Sequence, residues 1–323
     1  MNRTRVGVLR GGQSTEYDVS LLTGQTVLEA LAESHFDVRD VLIDKSGTWH
    51  LHGRPMDPIR ILDQVDVFFI ALHGSYGENG ELQKYLDTHG VAYTGTGALG
   101  SALSMHKASA KRALEGAPYK FAEHRIMVSD DYNDEAVHEL FTTFMMPSVV
   151  KPVDGGSSVA TALVRTRREL DNALRKVFMV SNTALIENYV RGREVTVTVS
   201  DSFRGEDLYA FPPVEIMYSN SDFFDYDEKY STESGARELC PAPVERHITQ
   251  ELMDNARHVH RQLGLRDYSR SDFMLTKTGE IFFLEVNTLP GLTATSLVPR
   301  SIDAVGAKLP HFLEHLIDRA AAR

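Results

Sequence analysis

A predicted β-hairpin near the C-terminus, 269–287, constrains the fold more than any other stretch of the 323-residue chain. A two-residue turn at Thr278-Gly279 is expected to connect its strands. Counting outward from that turn predicts four cross-strand pairs: Lys277 with Glu280, Phe273 with Leu284, Asp272 with Glu285, and Arg270 with Asn287. Because side chains alternate between the two faces of a strand, the apolar face is expected to comprise Phe273, Leu275, Phe282, Leu284 and Val286. A register shifted by one residue would mix the apolar and polar faces.

The polar face of this hairpin carries two carboxylates that are expected to face each other. Asp272 and Glu285, directly opposed on neighbouring strands, would repel each other by roughly 0.2–1 kcal/mol. A divalent cation that prefers oxygen ligands would convert this repulsion into binding, with Asn287 as a third oxygen donor. A solvated acidic face is the structural alternative. The loop of turn residues and hydroxyls that follows, 289–296, favours the cation site.

Composition limits the classes of protein that the chain can belong to. The length allows two or three domains, and the net charge of −11 argues against nucleic acid or an anionic membrane as a general partner. The single cysteine, Cys240, excludes an internal disulfide framework and most zinc sites. No apolar run reaches the roughly 18 residues of a membrane span, and the chain begins without a signal-peptide pattern. We therefore expect a cytoplasmic enzyme or binding protein.

Strands and helices alternate in the first third of the chain. An apolar strand, 5–10, is followed by a glycine turn and by a helix with apolar residues at helical spacing, 19–31. The continuous apolar run 66–72 is typical of a buried parallel strand. The pattern predicts a doubly wound α/β domain, in which ligands bind at the carboxyl ends of the strands. His73, on the glycine-rich loop after that strand, is either a ligand contact or a hydrogen-bonding residue of the turn.

Lysines and glycines in the next region indicate phosphate. A single helix predicted over 98–114 carries Lys107 and Lys111 one turn apart, although paired helical lysines are commonly just solvated. Lys151 ends an apolar strand beside a glycine- and serine-rich loop, 152–159, whose N–H groups and hydroxyls could surround phosphate oxygens. This is not the Walker pattern, and a structural β-turn is the alternative.

Two further segments have the composition of a nucleotide site. Strands 184–190 and 194–200 could present backbone edges to an adenine and the Glu194 carboxylate to a ribose, with ordinary sheet structure as the alternative. The polar segment 220–235 is longer than loops inside compact domains usually are, which predicts a functional lid. The pair Lys229-Tyr230 within it favours a lid that orders on binding.

The ordered set of motifs, from 11–16 to 296–299, resembles the ATP-grasp superfamily and, within it, the D-alanine–D-alanine ligases. The resemblance implies three α/β domains, with ATP held between the central and C-terminal sheets. It also implies that one carboxylate is activated as an acyl phosphate, which the amine of a second amino acid attacks. The expected domains are an N-terminal first-substrate domain at 1–104, a central ATP-grasp domain at 105–183, and a C-terminal ATP-grasp domain at 184–323 that carries the metal site and the lid.

Residue by residue, the resemblance implies a complete site. The ATP-binding residues would be Lys107 and Lys151 at the phosphates, Glu187, Asn188, Tyr189 and Val190 at the adenine, Glu194 at the ribose, and Lys229. Two Mg²⁺ ions, or Mn²⁺ in their place, would be bound by Asp272, Glu285 and Asn287. The catalytic residues would be Glu16, which holds the first ammonium, Ser157 and Tyr230, which close the lid with it, and Arg270 and Gly291, which stabilise the tetrahedral adduct. The substrate-binding residues would be Glu16 and His73 for the first amino acid, and Ser296 and Leu297 for the second.

The function that the resemblance implies is ATP-dependent carbon–nitrogen ligation of two D-alanines to D-alanyl-D-alanine for peptidoglycan synthesis. ATP and D-alanine would be the partners, and relatives are often dimers, which allows a homodimer. The alternatives are a D-alanine–D-serine ligase, another ATP-grasp amino-acid ligase, and a non-catalytic ATP-binding protein. Two positions depart from the family pattern: Tyr17 stands where many members have His or Arg, and Arg10 precedes the glycines.

Overall fold

The computed structural model of the chain describes residues 3–156, 160–217 and 237–323, and these residues form three β-sheets. The predicted lid, 220–235, with Lys229 and Tyr230, lies outside the described residues, as does Ser157. Within the three described ranges, no helix is both long enough and apolar enough to cross a bilayer.

The first sheet is mostly parallel and is covered by helices on both faces. Its strands are β1 (Arg5–Gly11), β2 (Asp37–Ile43), β3 (Trp49–Leu51), β4 (Arg54–Pro55), β5 (Val67–Ile70) and β6 (Ala92–Tyr93). They lie in the order β4-β3-β2-β1-β5-β6, with β3 and β4 as an antiparallel edge. Its helices are α1 (Tyr17–Ala30), α2 (Pro58–Leu62), α3 (Ser75–Glu78), α4 (Glu81–Thr88) and α5 (Ala98–Met105). Val67 and Phe69 enter one core and Phe68 and Ile70 the other, so the predicted doubly wound domain is confirmed.

The second sheet is antiparallel, with helices on one face and the Lys151 and Glu187 side chains on the other. Its described strands are β7 (His124–Val128), β8 (Ser148–Pro152), β9 (Ala162–Val164) and β10 (Thr183–Asn188). They lie in the order β7-β10-β8-β9. The helices α7 (Asp134–Thr143) and α8 (Arg167–Phe178) pack on Val150 and Ile186, so that Lys151 and Glu187 point to the opposite face. The predicted central domain ends at 183, the first residue of β10, and the sheet extends beyond it to Asn188.

The third sheet contains the hairpin from which the sequence analysis began. Its described strands are β11 (Arg193–Asp201), β12 (Leu208–Ala210), β13 (Val214–Met217), β14 (Arg237–Leu239), β15 (Tyr268–Leu275) and β16 (Ile281–Asn287). The order is β14-β13-β11-β15-β16, and β12 pairs with β11. Helix α9 (Arg246–Gln262) covers one face through Leu252 and Ala256. Glu194 and Asp272 therefore point to the face turned away from this helix.

The hairpin pairs Asp272 with Glu285 and Arg270 with Asn287, as predicted, but its turn differs. The loop contains three residues, 277–279, because Thr276 rather than Lys277 bonds to Glu280. Phe273 therefore pairs with Phe283, so the predicted Phe273–Leu284 pair is wrong, and a bulge beside Asp272 restores the predicted register. Ile281 and Phe283 are buried in the core, whereas Phe282 and Leu284, predicted for the apolar face, are only partly buried.

The prediction of a single helix over 98–114 is wrong, because the helix is interrupted at His106. There α5 ends and α6 (Lys107–Ala113) begins, with the His106 side chain accepting a hydrogen bond from the Ser109 N–H. Helix α6 packs in the core of the third sheet through Ala110 and Leu114. The break therefore makes Lys107 the first residue of a helix that borders the site.

The C-terminal helices join the first and third sheets. Helices α10 (Leu297–Ala304) and α11 (Leu309–Ala321) contribute to the core of β1 and β5. After α11, the Arg323 guanidinium bonds to the fully buried Asp267 carboxylate at 2.6 Å and to the Tyr93 carbonyl at 2.7 Å. Asp267 also accepts a hydrogen bond from the Gly95 N–H at 2.7 Å. These contacts hold the first domain against the third sheet.

Candidate active site

A cavity of about 700 Å³ is lined by residues from all three sheets. Glu16 and Gly74 come from the first domain, and Lys151 comes from the second sheet. Asp272 and Glu285 come from the third. The polar faces of the second and third sheets thus meet across one space, large enough for a nucleotide and a small second molecule.

Lys107 reaches the acidic wall of this cavity from the start of α6. Its Nζ lies 3.5 Å from Glu285 Oε2 and donates to the Gly155 carbonyl at 2.7 Å. Its backbone N–H donates to the Val153 carbonyl at 2.8 Å. Lys107 therefore connects the glycine-rich loop of the second sheet with a predicted metal ligand of the third.

The second cavity lysine, Lys151, shares a buried carboxylate with another lysine. Lys151 Nζ lies 2.6 Å from Glu187 Oε2, and Lys111 Nζ lies 2.7 Å from Glu187 Oε1. Burial opposes ionisation of Glu187, but the two ammonium groups outweigh it and lower its pKa to about 2. Burial likewise opposes the charge on Lys151, but Glu187 and then Glu285 raise its pKa. The sequence analysis treated Lys111 only as a neighbour of Lys107. The four-residue spacing of the two lysines was the one signal that could have placed Lys111 near the site.

The adenine-binding stretch predicted at 187–190 lines the cavity at the end of β10. The N–H of Asn188 donates to the Glu123 carbonyl at 2.9 Å, and that of Tyr189 donates to the Pro147 carbonyl at 3.0 Å. The side-chain oxygen of Asn188 is buried and has no hydrogen-bond partner among the described residues. Two lysines bind the Glu187 carboxylate. The groups of this stretch that remain for a nucleotide base are the Asn188 amide, the backbone and the apolar side chains. Glu194 also lines the cavity, from β11 of the third sheet, the next strand along the chain.

The acidic wall is oriented by an arginine. Arg270 Nε and Nη2 donate to the two oxygens of Asp272 at 2.9 and 2.8 Å, and Thr196 donates to Asp272 Oδ1 at 2.6 Å. Burial disfavours the charged guanidinium, but Asp272 outweighs it and raises the pKa of Arg270. The charged guanidinium therefore holds the Asp272 carboxylate in one orientation.

The residues present fit a magnesium ion that is completed by a ligand. In the described ranges, no group of three or more His, Cys, Asp or Glu side chains could hold a metal ion. The opposed pair Asp272 and Glu285 supplies hard carboxylate oxygens, and Mg²⁺ is commonly bound by one or two carboxylates with phosphates and water completing its shell. Asn287 follows on the same strand, and its Oδ1 already accepts a hydrogen bond from the Leu289 N–H at 2.9 Å.

Glu16 lies where backbone from two domains leaves room for its carboxylate. A Cβ atom on Gly74 would lie 2.7 Å from Glu16 Oε2, and one on Gly156 would lie 2.9 Å from the same oxygen. Glu78, which was not among the predicted site residues, is buried nearby, and burial and the Glu16 carboxylate raise its pKa. The Glu16 carboxylate, which lines this end of the cavity, favours a positively charged ligand group such as an ammonium.

His73 lies beneath the site and is not among the described residues that line the cavity. Its Nε2 is 2.8 Å from Thr23 Oγ1, and burial lowers its pKa to about 4, against a hydrogen bond to the Leu289 backbone. The neutral imidazole thus connects α1 with the loop that follows β16. Its predicted contact with the first amino acid stays a prediction.

The loop after β16 carries Gly291 and Ser296, neither of which is among the described residues that line the cavity, and leads to Leu297. A Cβ atom on Gly291 would lie 3.0 Å from Ser296 Oγ, so the missing side chain allows the loop to fold back on itself. Ser296 immediately precedes α10, and its Oγ lies 2.7 Å from Thr293 Oγ1. Leu297 lines the cavity. This loop can bind a second small molecule through hydroxyl and N–H groups.

Structural comparison defines the class of protein. The chain superposes on the VanG D-Ala:D-Ser ligase from Enterococcus faecalis with a TM-score of 0.85 and 29% identity, covering 98% of this chain and 99% of the other. It superposes on the D-alanyl-alanine synthetase A of Vibrio cholerae with a TM-score of 0.86 and 26% identity over the full length of both chains. The fold and the cavity between two sheets are those of an ATP-grasp enzyme.

Sequence comparison then identifies the family. The family models described as D-ala D-ala ligase N-terminus and C-terminus match residues 5–62 and 54–96, and 110–318. The D-alanine–D-alanine ligase of Geobacter sulfurreducens is 37% identical over 299 residues, which cover 93% of this chain and 88% of that relative. The chain belongs to the D-alanine–D-alanine ligase family, as the motif order predicted.

Proposed function

We propose that this chain joins two D-alanines to D-alanyl-D-alanine with hydrolysis of ATP to ADP and phosphate, for peptidoglycan synthesis. The observation that carries the proposal is the cavity in which Lys107 and Lys151 face Asp272 and Glu285 across two sheets. A wall of cations opposite a wall of oxygen ligands suits a nucleotide triphosphate with its divalent cation. Membership of the family supplies the amino-acid substrate.

In the first step, the carboxylate of one D-alanine attacks the γ-phosphorus of ATP. A carboxylate–phosphorus bond forms, the bond to the bridging oxygen breaks, and ADP leaves with that electron pair. Lys107 and Lys151 would neutralise the charge that spreads over the phosphate oxygens. Glu16 would hold the ammonium, so that the carboxylate points toward the phosphate.

In the second step, the neutral amine of the second D-alanine attacks the acyl phosphate at its carbonyl carbon. The tetrahedral adduct then expels inorganic phosphate, and the nitrogen loses a proton, which leaves the amide. Arg270, oriented by Asp272, and the N–H of Gly291 would stabilise the oxyanion. Ser296 and Leu297 would hold the second D-alanine.

Asp272, Glu285 and Asn287 are the residues that would hold Mg²⁺, which would supply positive charge to the phosphates. Two ions rather than one, Mn²⁺ in place of Mg²⁺, a homodimer and a cytoplasmic location stay predictions, as do the lid and the roles of Ser157, Tyr230 and Lys229.

A competition assay tests the proposal. The purified protein is incubated with ATP, MgCl₂ and equal D-alanine, D-serine and D-lactate, and the products are identified by mass. We expect D-alanyl-D-alanine to predominate. Predominant D-alanyl-D-serine, the product class of the VanG relative, would overturn the specificity and leave the ligase activity. Phosphate release without a dipeptide or depsipeptide would overturn both, and no nucleotide turnover at all would indicate a non-catalytic ATP-binding protein.

Replacing Tyr17 is expected to leave the product ratio nearly unchanged. The ring lies against Lys45, whose Nζ is 4.8 Å from its centroid, and Tyr17 is not among the described residues that line the cavity. Arg10, the other departure, pairs with Asp40 at 2.7 Å on the neighbouring strand. We expect Tyr17→His to change the ratio of D-alanyl-D-alanine to D-alanyl-D-serine by less than about threefold. A larger change in the same mass assay would show that this position contacts substrate.

A further inference from the structure

Lys111 is a buried lysine that the proposed chemistry does not use. Its side chain is 3% exposed, and its Nζ lies 2.7 Å from Glu187 Oε1 and 3.3 Å from the Phe283 carbonyl. The rings of Phe121 and Phe283 surround the ammonium at 5.6 and 5.9 Å. Burying an ammonium is costly unless it is paired; burial lowers the pKa of Lys111, and the Glu187 carboxylate opposes that shift. The buried ammonium of Lys111 therefore needs a physical explanation.

The explanation is that two lysines, Lys111 and Lys151, share the carboxylate of Glu187. Glu187 Oε2 is bound by Lys151 at 2.6 Å, and its other oxygen is bound by Lys111. Lys151 lines the cavity, whereas Lys111 lies behind Glu187 and is not among the described lining residues. If Lys111 were neutral, Lys151 and Glu187 would form a closed one-to-one ion pair in a buried setting, where ion pairs are strong. The ammonium of Lys151 would then have little charge left to offer a ligand.

We propose that Lys111 is a positioning residue of the nucleotide site, which compensates Glu187 so that Lys151 can bind a phosphate group of ATP. This inference rests on the proposed function only in assuming that the cavity binds ATP. Lys111 acts through Glu187 and touches neither nucleotide nor amino acid. Its contact with the Phe283 carbonyl fixes the ammonium between the second and third sheets.

The test is ATP affinity, measured by isothermal titration calorimetry with MgCl₂ and without D-alanine. We expect Lys111→Met to raise the Kd for ATP by about tenfold or more, the size of one charge-assisted hydrogen bond. In steady-state assays the KM for ATP should rise similarly, while the KM for D-alanine should stay within about twofold. Lys120→Met is the matched control, because Lys120 pairs with Glu280 on the exposed hairpin turn.

A double variant separates this role from a merely structural one. If Lys111 acts through Glu187, removing the carboxylate makes the lysine dispensable, so Lys111→Met/Glu187→Gln should bind ATP within about threefold of Glu187→Gln alone. Wild-type affinity in folded Lys111→Met, or a tenfold further loss in the double variant, would overturn the proposal. If Lys111→Met does not fold, as judged by circular dichroism, the comparison between Glu187→Gln and the double variant still decides.

The two proposals fail in different ways. Wild-type protein that binds ATP but makes no dipeptide would overturn the proposed function, and the role of Lys111 would still be read from the Kd values. Wild-type protein that makes dipeptide while Lys111→Met binds ATP normally would overturn the role of Lys111 alone.

Discussion

Glu285→Gln is expected to lower kcat for dipeptide formation by about 10²–10³-fold, the loss typical when one group that stabilises transition-state charge is removed. The substitution keeps the shape of the side chain but removes half of the opposed carboxylate pair, and with it one of the two carboxylates proposed to bind the cation. It also removes the partner of Lys107, which lies 3.5 Å from Glu285 Oε2. The measurement is steady-state release of phosphate at saturating ATP and D-alanine, with MgCl₂ in excess.

Glu280→Gln is the matched control for that substitution. Glu280 lies at the other end of the same hairpin, where it pairs with the exposed Lys120, and exposed pairs contribute little. We expect its kcat to stay within about twofold of wild type. Wild-type turnover in excess chelator, or a Glu285→Gln variant as active as its control, would contradict a cation at Asp272 and Glu285.

Gly74→Ala is expected to lower kcat/KM for D-alanine by about 10²-fold, since displacement of a positioning group by about 1 Å can cost that much. The new Cβ atom would lie 2.7 Å from Glu16 Oε2 and 2.9 Å from Ser14 Oγ, so the carboxylate proposed to hold the ammonium must move. The KM for ATP should change much less, because Lys107 and Lys151 are not displaced. Initial rates at varied D-alanine and at varied ATP separate the two effects.

Gly53→Ala introduces a side chain at the same positive φ without the contact. Gly53 has φ +77, against +76 for Gly74, and a Cβ atom there would meet nothing within 4 Å. Gly74 combines φ +76 with ψ −159, a region essentially restricted to glycine, so Gly74→Ala should also lose stability, which thermal unfolding of both variants measures. An equal loss of kcat/KM in the two variants would attribute the effect to strain and remove Glu16 from the explanation.

The pairing of Asp272 with Glu285 was predictable from the sequence, although two details behind it were not. Alternation of polar and apolar residues required these carboxylates on one face. The three-residue loop shifts the pairing by one position, and the bulge beside Asp272 shifts it back. The three-residue loop places Phe283, which is 1% exposed, in the core, and leaves Leu284 only partly buried. Burial of Phe283 favours this loop over the predicted two-residue turn.

The helix break at His106 was not predictable from periodicity. Residues 98–114 contain no proline that would mark a break. The break depends on a cap between His106 and Ser109 and on the Lys107 N–H bonding to Val153. That last partner is in another sheet, so no local pattern reports it. The same holds for α11, which follows the third sheet along the chain but packs in the core of the first.

The sequence by itself identified the family, through the resemblance of its ordered motifs, and strand alternation predicted the opposed carboxylates Asp272 and Glu285. Only the tertiary structure decided which groups share a partner. Lys111 and Lys151 come from elements 40 positions apart and meet at one carboxylate of a third element. Likewise, burial keeps the His73 imidazole neutral, and its hydrogen bonds connect Thr23 with the Leu289 backbone. Pair distances and burial depend on how sheets pack against each other, and a pattern along one strand or helix carries no information about that packing.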